Sequence, residues 1–394
     1  MTTAKAGGRK FIVAFNRDRD GYQVPLALAE ADRLERLVTD YYAPTIGGVA
    51  ALSHRRHPEL RHQLTSGNLR AVLLQAIGPK FRMDVTEMLW QIDRLLGSQA
   101  RRLARRTDAD LLLYSRYAYE SFTDPALLNR RRGLFVFHPH WRLIDEILEQ
   151  DRVRFPDFRW EGKDGAPSAR QQHREDVEIK QAGFAIAAST FTKRSIIYAG
   201  MDAAAVRVVP YGTAIVPAQN AARESGKCRF LFVGQGQHRK GLHHLLLAWK
   251  QLALPNATLT LVCYSMDAAL KPLLPMPGVL LRSRLSRQEL DAEFMGAHVF
   301  TMPSLVEGFG LVYLEALAAG CYLIGTENTG FPDLQLGENM GSSVPAGDVE
   351  AIARQLEHAY HLHRSKEIDH AAIARHAATL GWDRFRAGIR AALL

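Results

Sequence analysis

Between Pro303 and Asp333 the chain reads PSLVEGFGLVYLEALAAGCYLIGTENTGFPD. A strand is predicted to end at Met302, a loop then carries Glu307-Gly308-Phe309-Gly310, and a helix begins near Leu311 with Glu315 in its first turns. Glycines let a backbone approach a ligand closely, and a helix N-terminus offers unpaired N–H groups to an anion. Such a loop suits a diphosphate or sugar hydroxyls. Glu307 precedes the helix and Glu315 falls about two turns into it, so the two carboxylates point to different parts of one extended ligand. The plainer alternative is a βα turn with surface glutamates. Agreement along the whole string favours the ligand-binding turn.

Other constellations are incomplete. Gly236 and Gly241 have P-loop spacing, but Leu242 stands where the lysine belongs, and Gly234-x-Gly236 does not continue as GxGxxG. Asp18-x-Asp20 and Asp108-x-Asp110 look like metal-binding pairs, yet two carboxylates underdetermine a site and the second pair opens an apolar strand. His138-Pro139-His140 follows the run Leu134 to Phe137. A histidine at the C-terminal end of such a strand faces the ligand crevice of a doubly wound domain. The alternative is a histidine packed on the proline loop.

Short apolar runs must position these residues. Strands are predicted at 11–15, 111–114, 134–137, 184–188 and 206–209, then again at 230–233, 259–263, 279–281, 299–302 and 322–324. Helices are predicted between them, among them 242–252 and 311–319. The stretch from about 50 to 106 reads as mostly helical and basic, with Met88, Leu89, Ile92, Leu95, Leu96 and Leu103 on one face and Asp84 and Glu87 at capping-box spacing. A polar segment, 217–227, suits a linker. Strand–helix alternation repeated on either side of a linker predicts an α/β protein of two doubly wound parallel-sheet domains facing a cleft. The first is expected over 1–205. The second is expected over 206–394, with its last helix packing back on the first.

The string EGFGLVYLE, with Glu307 and Glu315 seven residues apart, resembles the E-x7-E motif of retaining GT-B glycosyltransferases, especially glycosyltransferase family 4 (glycosyl transferases group 1). Ala316 to Gly320, Gly325-Thr326 and Thr329 to Asp333 are similar to that family as well. Phe230 to Gly234 followed by Arg239-Lys240-Gly241 resembles its first C-domain strand and phosphate-binding turn, and Pro210-Tyr211-Gly212 its interdomain Pro-Asn-Gly. The resemblance is specific over 206–333 and weaker before it. It implies two Rossmann-like domains and retaining, metal-independent transfer of a hexose-like sugar from a nucleoside diphosphate to an acceptor hydroxyl. Departing phosphate oxygens would help deprotonate that hydroxyl. Glu315 is expected to hold the donor ribose, and Glu307 to lie near the donor sugar. Backbone N–H groups of Phe309 and Gly310 are expected to meet sugar hydroxyls, and those of Leu311 and Val312 the diphosphate. Gly234 and Gly308 shape the site. Lys240 is expected to neutralise the diphosphate; Gln235 stands where the family commonly carries an arginine, so either one cation serves or Arg239 supplies an auxiliary second, the reading favoured here. Such cation-plus-helix stabilisation of a leaving diphosphate needs no metal. His138 is the catalytic histidine implied, with His140 in reserve. On the acceptor side the family's glycine-rich loop is reduced to Asp20-Gly21-Tyr22, and Ser189 matches a position expected to be structural.

Composition bounds the rest. The 394 residues are 47% hydrophobic and 23% charged, without an apolar run of membrane-spanning length. Met1 to Lys10 lacks a signal peptide's apolar stretch, and Cys228, Cys263 and Cys321 form no CxxC pair. These features predict a cytoplasmic protein without zinc, or any other metal site, and without a disulfide framework. Up to Ala205 there are 32 Lys and Arg against 25 Asp and Glu, so most of the +9 net charge lies in the first half. Basic clusters at 54–57, 101–106 and 130–132 can attract phosphate on nucleic acid, on lipid headgroups at the inner face of a membrane or on a sugar-phosphate acceptor, and the plainer alternative is a solvated basic surface. The resemblance implies a glycan or lipid-linked acceptor in cell-surface or envelope glycan synthesis. Rival readings are a sugar-nucleotide epimerase and a non-catalytic binding protein. Glu307, Glu315 and Lys240 argue against lost catalysis. No aromatic-interleaved basic motif supports nucleic-acid binding.

Overall fold

A computed structural model describes residues 8–44, 52, 54–161, 167–214, 223 and 226–393. The first sheet contains β1 (Phe11–Ala14), β2 (Leu34–Val38), β3 (Thr65–Ser66), β4 (Asp110–Tyr114), β5 (Arg132–Val136), β6 (Phe184–Ala187) and β7 (Val206–Val208) in the order β3-β2-β1-β4-β5-β6-β7. The second contains β8 (Cys228–Val233), β9 (Ala257–Val262), β10 (Val279–Arg282), β11 (Val299–Met302), β12 (Tyr322–Thr326) and β13 (Gly341–Val344) in the order β10-β9-β8-β11-β12-β13. All pairings within both sheets are parallel. Helices cover both faces, which is why β1, β4, β11 and β12 are buried at every position and read as unbroken apolar runs. Strand order reverses between β1 and β4 and between β8 and β11, and crevices for ligands open beyond the strand ends at such points.

Several expectations need correction. β7 completes the first sheet, so a boundary at 205/206 falls one strand too early. The 50–106 stretch holds helices at Leu69–Ile77 and Val85–Arg106, whereas 54–68 is mainly turns around a short 3-10 helix, and 45–51 and 53 lie outside the described residues. Asp84 caps the second helix by accepting from Glu87 N at 3.0 Å, but Glu87 does not close the box. Its carboxylate takes Gln91 at 3.1 Å and Arg170 at 2.6 Å instead. Most of the 217–227 linker lies outside the described residues.

Each domain has its own core, and among the contacts that join them are a helix, an apolar cluster and a polar cluster. The final helix, Trp382–Leu393, places Phe385, Ile389 and Leu393 in the core of the first domain. Arg386 binds Glu30 at 2.7 Å and Gln23 at 2.8 Å. A small apolar cluster joins Leu143, Leu148 and Phe191 of the first domain to Leu305 and Val306 of the second. The third contact is polar: Asp151 meets three histidines of the second domain.

The basic clusters are partly consumed inside the fold. Arg55 is buried and grips Asp40 with both terminal nitrogens. Arg105 grips Asp124 at 2.7 and 2.8 Å. Arg130 pairs with Asp108, and Arg131 lies over the rings of Phe11 and Phe184. Among the described residues no helix is long and apolar enough to cross a membrane.

Candidate active site

The loops after the adjacent strands β8 and β11 meet. After β8 the chain makes one 3-10 turn, His238–Lys240, and enters the helix Leu242–Gln251 through Gly241. Gly241 sits at φ +63°, and a Cβ there would lie 2.0 Å from the Pro303 carbonyl oxygen. Only glycine allows both the left-handed backbone and this approach. The turn is thereby pressed onto the loop after β11, where Leu305 N donates to Arg239 O at 2.9 Å.

That contact brings the charged groups together. Glu307 Oε2 takes Lys240 Nζ and, at 2.9 Å, Arg239 Nη1. The Arg239 side chain is only 18% exposed, so it belongs to the site rather than to solvent. Burial opposes ionisation of Glu307, but Lys240 and then Arg239 outweigh it and hold the carboxyl well below the usual range. Two cations against one carboxylate leave one positive charge in surplus, the sign a diphosphate requires.

The first domain supplies the opposite wall. A Cβ on Gly308 would lie 2.1 Å from the Phe137 carbonyl oxygen. Gly308 O accepts from Ser189 Oγ and, at 3.0 Å, from Thr192 Oγ1. Ser189 also caps the helix Thr190–Tyr198, accepting from Thr192 N at 3.0 Å. Thr190 N donates to Asp333 at 2.9 Å, and Arg194 reaches Asn328. The EGFG loop is therefore held by the start of one first-domain helix. Gly308→Ala should force the loop off Phe137 and destabilise the protein by about 1–3 kcal/mol through overpacking. Thermal unfolding measures this, and an unchanged midpoint would show that the domains separate without cost.

His138 follows β5 beside this contact. Burial lowers its pKa to about 4, Glu307 opposing the shift, so the ring is neutral at pH 7. Its Nδ1 lies 3.3 Å from Pro139 O. The contact is favourable only if Nδ1 carries the proton, which leaves Nε2 as an acceptor. A cleft lined by Ser115, Arg116, His138, His140, Glu175 and Glu178 adjoins it. Arg116 follows β4 as His138 follows β5, and Glu175 holds it at 3.1 Å. The strand-end rule that selected His138 would have selected Arg116 too.

The remaining donor-side residues divide. Gly234 lies at the end of β8, with the Lys240 side chain nearby. Phe309 is buried and meets the ring of Tyr211 edge-on at 5.7 Å. Gly310 turns the chain at φ +86°, exposed Leu311 caps the next helix and Val312 begins it. Glu315 lies in the first turn of that helix, nearer its start than the two turns expected. It pairs with Arg287 at 2.6 Å, outside the Glu307 cluster.

On the acceptor side Asp20, Gly21 and Tyr22 are three successive residues at positive φ, 41°, 57° and 65°. Asp20 Oδ2 accepts from Tyr114 OH at 2.6 Å, and burial pushes its pKa up to about 6. Tyr22 points into the core against Phe15 and Tyr42. His140 caps the helix Trp141–Arg154 and lies 3.3 Å from Asp176, so its ring already has a structural task. Asp108 is bound by Arg9 and Arg130, and Asp110 accepts from Arg131 N at 3.1 Å. The Asp108-x-Asp110 pair is thus a salt-bridged strand opening.

Comparison with known proteins follows this division. Residues 227–361 match the family described as Glycosyl transferases group 1. That span contains β8, the Arg239-Lys240-Gly241 turn, β11 and the EGFG loop. A D-inositol 3-phosphate glycosyltransferase of Streptomyces coelicolor is 36% identical over 106 residues, 27% of this chain and 23% of that protein. The chain thus matches less than a quarter of that relative's length. Whole-chain similarity appears in solved structures. Sucrose-phosphate synthase from Thermosynechococcus elongatus has a TM-score of 0.63 at 16% identity, covering 96% of this chain and 97% of that one. Anabaena HepE in complex with UDP-glucose has a TM-score of 0.60 at 15% identity, covering 98% and 99%. The architecture is GT-B: two parallel-sheet α/β domains.

Proposed function

We propose that the protein is a retaining glycosyltransferase of the family 4 kind, moving a sugar from a nucleoside diphosphate to an acceptor hydroxyl. The observation that carries this reading is the convergence of Arg239, Lys240 and Glu307 where the loops after β8 and β11 meet. Lys240 and Arg239 neutralise the diphosphate as it leaves, in place of a divalent ion. Fixed charges and dipoles aimed at developing charge usually contribute more to catalysis than any other single effect. Glu307 positions those cations and faces the donor sugar, and Glu315 leaves Arg287 to hold the ribose. His138, neutral and buried, accepts a hydrogen bond at Nε2 from the reacting sugar or the acceptor hydroxyl.

The acceptor, a glycan or a lipid-linked molecule, approaches from the first-domain side, where His138 stands beside the EGFG loop. Exposed Arg102 and Arg106 are left to attach the protein to the inner face of a membrane, in envelope glycan synthesis. HepE, with the same architecture, is seen with UDP-glucose, so uridine donors come first in the test.

Thermal unfolding with UDP, GDP and ADP, and with their sugar conjugates, tests the donor. A bound nucleotide at 100 times its Kd should stabilise by about 2.7 kcal/mol. Glu315→Ala should remove most of that gain. Product NMR then tests stereochemistry, an α-linked donor giving an α-linked product. Stabilisation by no nucleotide would sink the donor site, and a β product would remove the retaining assignment alone. Turnover should be equal with and without added Mg²⁺ or Mn²⁺; strict dependence on either would overturn the cation-only account of the diphosphate.

A further inference from the structure

Behind the Arg239-Lys240-Gly241 turn lies a second cluster that donor chemistry does not use. Asp151, near the end of the first-domain helix Trp141–Arg154, points into the second domain. Its Oδ2 lies 2.6 Å from His238 Nε2 and 2.9 Å from His243 Nε2, and its Oδ1 2.8 Å from His244 Nε2. His243 and His244 are wholly buried, and Asp151 is 5% exposed. The two imidazoles are 3.7 Å apart between centroids. Phe155, Phe158 and Trp160 pack around them, Trp160 stacking on His238 at 4.5 Å.

A hydrogen-bonded network explains this arrangement incompletely. His244 Nε2 is 2.8 Å from a carboxylate oxygen without a well-aligned hydrogen bond, and Nδ1 of His243 and of His244 is buried without a partner. Buried polar atoms left without a partner call for an explanation, and a cation held among these groups is one. One ligand atom each from Asp151, His243 and His244 lies within 4.8 Å of the others.

We propose that Asp151, His243 and His244 bind one transition-metal ion of the zinc class, and that this ion clamps the first domain to the helix beginning at Leu242. Two imidazole nitrogens and one carboxylate oxygen form a borderline donor set, suited to Zn²⁺ or Co²⁺ and not to Mg²⁺ or Ca²⁺, which take oxygen shells. Zn–N and Zn–O bonds of about 2.0–2.2 Å place tetrahedral ligand atoms roughly 3.3 Å apart, so the 2.8 Å between His244 Nε2 and Asp151 Oδ1 needs to open by only about half an ångström. His238 is a positioning residue: its Nε2 contact orients the Asp151 carboxylate. The aromatic wall excludes water, and the ligands come from both domains. The ion would therefore fix the turn carrying Lys240 relative to the first-domain wall. The inference does not depend on the donor-site reading.

Chelator-treated full-length protein, shown by circular dichroism to remain folded, should be titrated with Co²⁺. The expected result is a visible absorption band that saturates at about one equivalent per chain and is displaced by Zn²⁺. Asp151→Asn and His244→Gln should abolish the band. His238→Gln should weaken Co²⁺ binding roughly 10–100-fold while leaving the band's shape intact. Co²⁺ should also quench Trp160 fluorescence, a signal lost in Trp160→Phe, which needs no change to the ligands. No saturable Co²⁺ binding by folded wild-type protein would overturn the proposal and leave a hydrogen-bonded His–Asp network. Undiminished binding by His244→Gln would overturn the ligand assignment. Nucleotide-induced stabilisation, measured on the same samples, reports separately on the donor site.

Discussion

Glu307→Ala is expected to lower sugar transfer roughly 10²–10³-fold while nucleoside-diphosphate affinity holds or rises. The two effects separate because Glu307 is the shared counter-ion of Lys240 and Arg239. Removing it raises the local charge from one positive unit to two, which favours an incoming diphosphate. It also leaves two largely buried cations without the group that aims them. Positioning is then lost at the moment charge develops on the leaving oxygen, and interactions that strengthen in the transition state govern turnover. Breaking a buried pair by removing one partner costs about 3–5 kcal/mol, so the unfolding midpoint should fall as well. Glu307→Gln keeps the shape without the charge and should recover part of the stability but little of the rate. Steady-state transfer, calorimetric UDP titration and thermal unfolding on the same variants check this. Wild-type turnover in Glu307→Ala would remove Glu307 from the mechanism. A parallel loss of affinity would show that the carboxylate binds the nucleotide.

Much of this site was legible in the sequence because its parts are local. The EGFG loop, the turn at Arg239-Lys240-Gly241 and the strands before them each announce themselves within a dozen residues. Runs such as Phe230–Val233 and Val299–Met302 are apolar because both sheet faces are covered. β2 and β13, like the two-residue β3, escape prediction for the converse reason. Glu35 and Arg36 interrupt Leu34–Val38, and Gly341–Val344 contains two serines, so neither has an apolar run to read. What depends on contacts between distant residues was not legible. Nothing in the spacing indicates that Glu307 takes both Arg239 and Lys240, or that Gly308 rests on Phe137. The Asp151–His244 contact spans the two domains, and a search for cysteine-rich spacing passes over it. Tyr22 illustrates the opposite error. Its place in the loop after β1 suggested the acceptor side, but three successive left-handed residues turn its ring inward.

Lys240→Ala should weaken nucleoside-diphosphate binding by roughly ten- to a hundredfold, the equivalent of one charge-assisted hydrogen bond at about 1.5–3 kcal/mol. Turnover should fall further, because the contact tightens as the diphosphate departs. Arg239→Ala should cost less, since Arg239 has the lesser influence on Glu307. The pH response distinguishes this role from simple charge loss. Glu307 has a depressed folded pKa, so its pairing contributes stability that is fully present above the unfolded value near 4.5 and lost as pH falls through the folded value. Without Lys240, burial is opposed mainly by Arg239, and the folded pKa must rise toward or past the unfolded one. The acid limb of both stability and kcat should therefore move to higher pH in Lys240→Ala. Restoring a cation nearby offers the complementary check. Gln235 is exposed in the loop after β8, five residues before Lys240. Gln235→Arg should tighten UDP binding if the site is one cation short, and should have no effect if Arg239 already fills that place. Unchanged UDP affinity in Lys240→Ala, with an unshifted acid limb, would sink the phosphate role and reduce the Lys240–Glu307 pair to a structural contact.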